Sequence, residues 1–246
     1  MVFNKRKFIV ALVTGGSRGI GKAIATALCE AGASVYVIGK TKENLQILKS
    51  ENPNIKTVQV DLENWNDTRL AVEKLGHIDM LVNNAAMHVK KSFLEVDKES
   101  FDKQIQVNMM AIVNISQVIA KSMIGRGNGG AIVNISSIRS VIPSGRSFGY
   151  PVTKAGVDMI TKCMALELGP YNIRVNSVNP TYVKTDMTKA FLEGGTKALH
   201  ETIKSHPLGH FARLEDVTNG TLFLLSDNAS MITGTSLKID GGYTIA

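Results

Sequence analysis

Cysteine is scarce in this chain of 246 residues: only Cys29 and Cys163 occur, both inside helix-like stretches and far apart. That excludes a disulfide-stapled design and fits a reducing compartment, so a cytoplasmic location is expected. Aromatics make up only 6% of the residues. The formal charge of +7 is scattered, with no lysine- or arginine-rich block interleaved with aromatics, so no nucleic-acid partner is expected. No continuous apolar run approaches the roughly 20 residues of a membrane span, so no membrane partner is expected either. Metal ligands are thin as well. His206 and His210 stand four apart, but Pro207 breaks any helix between them and no further ligand cluster accompanies them, so no metal is expected. Cys163 reads as a small buried hydrophobe, and the methionines Met109, Met110, Met159 and Met164 read as core or subunit interface. Internal repeats and low-complexity segments are absent.

What remains is an ordinary globular composition, 44% hydrophobic and 20% charged, in a chain long enough for one large core, hence a single domain over 1–246. The opening residues, basic at Lys5, Arg6 and Lys7 and then apolar, have the outline of a targeting segment. They read better as a first strand, because the apolar run feeds directly into a glycine-rich loop. Short apolar segments at 8–13, 34–38, 55–60, 80–82, 131–135, 173–178 and 237–239 alternate with helical patterns at 20–31, 42–49, 65–75, 98–124, 148–168 and 215–225. Such alternation predicts an α/β fold: a Rossmann-type, doubly wound, seven-stranded parallel sheet flanked by helices. The long excursion 185–212, with Gly194-Gly195 and His206-Pro207, follows the sixth strand. Ligands of open α/β sheets bind beyond the carboxyl ends of the strands, so this excursion is expected to be a substrate lid.

The loop after the first strand reads Thr14-Gly15-Gly16-Ser17-Arg18-Gly19-Ile20-Gly21 and leads into a helix. Gly15 suits the tight turn, Gly19 a close approach of backbone to phosphate, and Gly21 the packing of helix on strand, with the helix amino terminus facing the anion. A dinucleotide held by Gly15, Ser17, Arg18, Gly19, Ile20 and Gly21 is expected. At the end of the second strand stands Gly39-Lys40-Thr41-Lys42, where an NAD site would offer an acid. With no carboxylate there, and with Arg18 and Lys40 available to a 2′-phosphate beside Thr41, the expected cofactor is NADP(H). Lys42 reads as a solvated charge at a helix start.

Tyr150 and Lys154 are four apart in Ser147-Phe148-Gly149-Tyr150-Pro151-Val152-Thr153-Lys154 and so share one helix face. A nearby ammonium and a helix amino terminus would both favour the phenolate and lower the tyrosine pKa. Ser137, at the end of the fifth strand, is placed to donate to an oxygen that gathers negative charge. Pro151 falls in a first helical turn, where proline is tolerated.

On these motifs the chain resembles the short-chain dehydrogenase/reductase family over essentially its whole length. Asp61-Leu62 looks like the family's adenine-side pair, and Asn83-Asn84-Ala85-Ala86 like its Asn-Asn-Ala-Gly element, with Ala86 where glycine is usual. Pro180-Thr181-Tyr182-Val183-Lys184-Thr185 looks like the segment that grips the nicotinamide and phosphates. The resemblance implies a catalytic tetrad of Asn108, Ser137, Tyr150 and Lys154, Asn108 holding a water that links Lys154 to solvent, and Ser137 and Tyr150 facing substrate. It implies cofactor contacts from Asp61, Leu62, Asn84, Ala85, Tyr150, Lys154, Pro180, Val183 and Thr185. Within the family the likeness is to the branch that reduces α-dicarbonyls and ketoses such as L-xylulose, which implies a homotetramer. The segment Ile138-Arg139 and the loop Pro143-Ser144-Gly145-Arg146-Ser147-Phe148 do not reproduce an obvious polyol pocket. Two rival readings stand beside this one. The first is reduction of another ketone class, a steroid, retinoid or 3-oxoacyl thioester; the second is a nucleotide-binding scaffold or sensor without turnover.

Overall fold

A computed structural model describes residues 9–194 and 197–246; Phe8, the basic Lys5, Arg6 and Lys7, and Gly195 lie outside the described residues. The first strand, β1 (Val10–Thr14), is buried along its whole length. It is apolar on both faces: Ala11 and Val13 enter one hydrophobic cluster, Val10 and Leu12 the other. A strand of this kind requires cover on both sides. Parallel pairing extends it into a seven-stranded sheet in which β2 (Ser34–Gly39), β3 (Lys56–Gln59), β4 (Met80–Asn83), β5 (Gly130–Ile135), β6 (Ile173–Pro180) and β7 (Ser236–Ile239) follow the order β3-β2-β1-β4-β5-β6-β7. The outer strands β3 and β7 expose Lys56 and Lys238, charges that discourage further strand addition.

One face of the sheet is covered by α1 (Gly19–Glu30), α2 (Lys42–Glu51) and, from late in the chain, α9 (Leu214–Leu225), through Ile24, Leu28, Leu48 and Val217. The other face is covered by α3 (Trp65–Glu73), α5 (Ala111–Arg126) and α6 (Gly149–Leu168), through Val72, Ile115, Ile119 and Met123. Each such side chain taken fully out of water contributes roughly 1.5–3 kcal/mol, which makes the sheet and its two helical layers the rigid body. The chain runs outward from β1 to β2 and β3, then returns to place β4 on the opposite side of β1. That reversal opens a crevice at the carboxyl ends of β1 and β4.

The helix expected over 98–124 is divided. α4 (Lys98–Ile105) passes through a π-helical turn, Gln106–Met110, into α5, which ends at Gly127 in a left-handed conformation with φ 66°. A three-and-four apolar period does not register one wide turn. Taken together, Lys98–Arg126 is long and apolar enough to cross a membrane, which a search for continuous apolar runs does not reveal. Half of that window is buried inside the protein, and α5 packs on α3 and on the sheet as a core helix. Cys163, expected inside, is exposed. α6 buries Val157, Thr161 and Ala165, and two residues past Thr161 is roughly 200° around the helix, on the opposite face. The excursion 185–212 carries α7 (Lys189–Leu192) and α8 (Lys197–Lys204) and rejoins the body through a parallel bridge between Val183 and Ala212.

Candidate active site

The loops that follow β1 and β4 brace one another. Thr14 Oγ1 accepts the backbone N–H of Asn84 at 3.0 Å and of Ala85 at 3.1 Å, while Asn84 Nδ2 donates to the carbonyls of Thr14 at 3.0 Å and Gly15 at 3.1 Å. Gly15 has φ +61°, and a Cβ there would stand 2.8 Å from Ala85 Cα. Only glycine suits that position. The loop thus presents bare backbone and the amino terminus of α1, whose first turn contains no acid. This is a cradle for an anionic phosphate chain, and a dinucleotide fits it. Ser17, Arg18, Gly19 and Ile20 line the resulting cleft of about 1060 Å³. Gly21 does not line it. Its backbone packs against Asn84 and Gly15, so its contribution to cofactor binding is indirect.

Gly39, Lys40 and Thr41 form the far end of the cleft with Asp61 and Leu62. Here the reading that no carboxylate stands near Lys40 is corrected. Gly39 pairs in register with Gln59, so the chain leaving β3 brings Asp61 to 2.6 Å and Glu63 to 3.4 Å from Lys40 Nζ. The hydrogen bond that Lys40 donates to Asp61 holds its ammonium above its ordinary pKa. Arg18 pairs with Asp186 at 3.2 Å. These pairs are solvent-exposed and contribute about 0–1 kcal/mol each, so a dianionic phosphate competes well for both cations.

At the other end stand Ser137, Tyr150 and Lys154. Ser137 follows β5 and accepts the N–H of Arg139 at 3.1 Å, while Asn179 Nδ2 donates to its carbonyl at 3.2 Å. The neighbouring Ser136 is spent structurally, donating to the carbonyl of Lys154 at 3.2 Å. Tyr150 is the second residue of α6 and Pro151 the third. The first four N–H groups of a helix have no partner within it, so Pro151 removes no helical hydrogen bond. Lys154, one turn on, is buried; Nζ donates to the carbonyl of Ile135 at 2.7 Å and lies 5.6 Å from the centre of the Tyr150 ring.

The acidification expected of Tyr150 is outweighed. Burial dominates and pushes the Tyr150 phenol up to about 12, opposed in part by hydrogen bonding to Ser137 and by the charge of Arg139. Lys154 is itself pushed down to about 8 by burial, against the opposing charge of Asp158.

Asn108, in the π-helical turn, is buried rather than in the cleft lining. Its Nδ2 donates to the Met87 carbonyl at 3.0 Å and to Thr153 Oγ1 at 2.9 Å, and Oδ1 accepts from Met87 N–H at 2.8 Å. Both amide hydrogens are committed, and one lone pair of Oδ1 is left for a water. Pro180, Val183 and Thr185 line the cleft, as do Asn84, Ala85 and Ala86. Ala86 is not among the non-glycine residues with positive φ, so its methyl is accommodated. The excursion contributes Met187, Thr188 and Phe191 to the cleft wall. The two histidines are separately bonded: buried His206 joins Thr181 Oγ1 and the Thr202 carbonyl, each at 2.7 Å, and His210 bonds the Phe211 carbonyl at 3.0 Å. Sequence reasoning missed His88, whose ring lies 4.8 Å from that of Tyr150. Its position two residues beyond the Asn83-Asn84-Ala85-Ala86 element was the available signal.

A family model described as enoyl-(acyl carrier protein) reductase, one of the short-chain dehydrogenase/reductase models, matches residues 15–244. The chain belongs to the short-chain dehydrogenase/reductase family. L-xylulose reductase of Mesocricetus auratus is 46% identical over 235 residues, 96% of each chain. Carbonyl reductase [NADPH] 2 of Sus scrofa is 43% identical over 233 residues, 95% of each chain. Among solved short-chain dehydrogenase/reductase structures, a gluconate 5-dehydrogenase from Burkholderia cenocepacia in complex with NADP and tartrate superimposes with a TM-score of 0.89 at 29% identity, covering 97% of this chain and 96% of that one. The chain is an oxidoreductase of this family, an NAD(P)-using reductase of ketose or carbonyl substrates.

Proposed function

We propose that the chain is an NADPH-dependent carbonyl reductase acting on α-dicarbonyls and on ketoses of the L-xylulose type. The observation that carries this reading is the meeting of Ser137 and Tyr150 in one cleft with the glycine cradle of β1, with Lys154 beneath. The names of the relatives, L-xylulose reductase and an NADPH carbonyl reductase, support both the substrate class and the coenzyme.

The residues fit the dinucleotide. Gly15, Ser17, Gly19 and Ile20 would hold its pyrophosphate, Arg18 and Lys40 the 2′-phosphate, Asp61 and Leu62 the adenine, and Val183 and Thr185 the nicotinamide end. NADPH when bound supplies a hydride to the carbonyl carbon. Ser137 orients the carbonyl oxygen, and Tyr150 donates its proton to that oxygen, leaving an alcohol and a phenolate. A phenol at about 12 is fully protonated at neutral pH, so the donor is always loaded. The difficulty is the phenolate it leaves, which the Lys154 ammonium stabilises before a proton returns through the water beside Asn108. The excursion 185–212, with Met187 and Phe191 on the cleft wall, acts as the substrate lid. Val152, Met159 and Leu166, exposed at seven-residue intervals on α6, form an apolar stripe suited to packing between copies of a homotetramer. Sedimentation is expected to give four times the chain mass, and Met159→Glu to give smaller species; a monomer in the unmodified protein overturns the tetramer.

The test is NADPH oxidation, followed by absorbance, with diacetyl, L-xylulose, steroid ketones and 3-oxoacyl thioesters, repeated with NADH. Turnover of the first two with at least a tenfold preference for NADPH is expected. Lys40→Ala should shrink that preference about tenfold, the size of one charge-assisted contact. Preference for NADH overturns the coenzyme, and activity confined to steroids or thioesters overturns the substrate class.

A further inference from the structure

Arg139 stands two residues beyond Ser137, in the short turn Ile138–Ser140. Its guanidinium is fixed: Nη1 donates to the Pro143 carbonyl at 3.0 Å and Nη2 to the Tyr182 hydroxyl at 2.6 Å. Tyr182 is in turn packed on Phe191 and Phe211, with ring centres 5.0 and 5.4 Å away. Both of these hydrogen-bond partners are neutral. They occupy two of the five guanidinium N–H groups and leave three, and although the Tyr182 ring lies 5.5 Å from the guanidinium carbon, no carboxylate pairs with the charge among the described residues.

Arg139 lines the cleft at the Ser137 and Tyr150 end. Its charge bears on Tyr150, and together with burial and with Lys90 it holds His88 below its ordinary pKa. Lys90 and Arg146 also line this end, Arg146 in a left-handed conformation with φ 58°. Among the described residues none of these three cations is ion-paired, although Glu95 senses Arg146. The acids that line the cleft, Asp61, Glu63 and Asp186, all stand at the cofactor end beside Lys40 and Arg18. A partly buried, immobilised cation without a counter-ion is costly unless a ligand supplies one.

We propose that the carbonyl substrate carries a carboxylate, received by the Arg139 guanidinium beside Ser137 and Tyr150, with Lys90 and Arg146 steering it in. The fork of an arginine matches a planar carboxylate, and a guanidinium already held by two bonds loses little freedom on binding it. This proposal rests on the carbonyl-reductase reading and adds to its neutral dicarbonyls and ketoses a preferred class, oxo acids, including ketoses oxidised to sugar acids.

The experiment uses matched pairs with NADPH: diacetyl against pyruvate, and L-sorbose against 5-oxogluconate, which differ in one group and in charge. The unmodified enzyme should favour the carboxylate member at least tenfold in kcat/KM. Arg139→Met should raise KM for the carboxylate member at least tenfold more than for its neutral partner, and Arg139→Lys should fall between. Thermal melts would confirm that both variants fold. Preference for the neutral members overturns the proposal, as does an equal loss on both, which would assign Arg139 to the acidity of Tyr150. Preference for a phosphorylated ketose over 5-oxogluconate replaces the carboxylate by phosphate. Absence of turnover on every pair overturns the reductase reading instead. Calorimetric titration of 5-oxogluconate and L-sorbose into the NADPH complex then decides the carboxylate separately, since only the acid should bind and Arg139→Met should abolish it.

Discussion

Tyr150→Phe is expected to lower kcat for carbonyl reduction by about 10³-fold, the middle of the range that a positioned general acid contributes, while the NADPH dissociation constant moves less than about threefold. The substitution keeps the ring against His88 and deletes the proton that the carbonyl oxygen receives. Stopped-flow measurement of hydride transfer and fluorescence titration of NADPH separate the two quantities. The pH profile identifies the partner. Lys154 is pushed down to about 8 by burial, so its ammonium is present below that pH and lost above it. Reduction should be flat below about pH 8 and fall above it, because the departing phenolate then lacks its counter-charge. The residual rate of Tyr150→Phe should lose that limb. A nucleotide-binding scaffold would behave otherwise: its ligand response would be the same with tyrosine or phenylalanine, and equal activity in the two proteins would overturn the proton-donor role.

The features that proved legible in the sequence are those written in local spacing. The glycines around β1, the interval from Tyr150 to Lys154 and the seven short apolar runs each depend on residues within a few positions, and the strands fall within one or two residues of expectation. What the sequence left open depends on neighbours across the sheet. Lys40 reads as a free cation because Asp61 and Glu63 reach it from the end of a different strand. Tyr150 reads as acidified because a lysine lies four residues on, yet the balance is set by desolvation, which only the packed site reveals. Arg139 was visible as an odd residue in a supposed polyol pocket; that its charge has no carboxylate opposite it among the described residues is a three-dimensional fact.

Gly21→Ala is expected to damage the protein more than its size suggests, although Gly21 lies outside the cleft. A Cβ at this position would stand 2.3 Å from Asn84 Nδ2 and 2.5 Å from the carbonyl oxygen of Gly15. Neither neighbour can yield cheaply, since Asn84 Nδ2 is the donor that ties the loop after β4 to Thr14 and Gly15 and the other atom is backbone. Relief therefore requires breaking the brace or lifting α1 from β1, and either opens the phosphate cradle. Overpacking with loss of a buried hydrogen bond costs about 2–4 kcal/mol, which for a chain of this length lowers Tm by roughly 5–15 °C. The NADPH dissociation constant should rise about a hundredfold, and saturating NADPH should restore much less of the Tm than it adds to the unmodified protein. Gly125→Ala is the control. It lies inside α5 with nothing near its Cβ and should leave NADPH affinity unchanged while raising stability by about 0.5–1 kcal/mol through helix propensity. If Gly21→Ala melts and binds NADPH like the control, the cross-brace does not hold the cradle and the glycine serves only the turn.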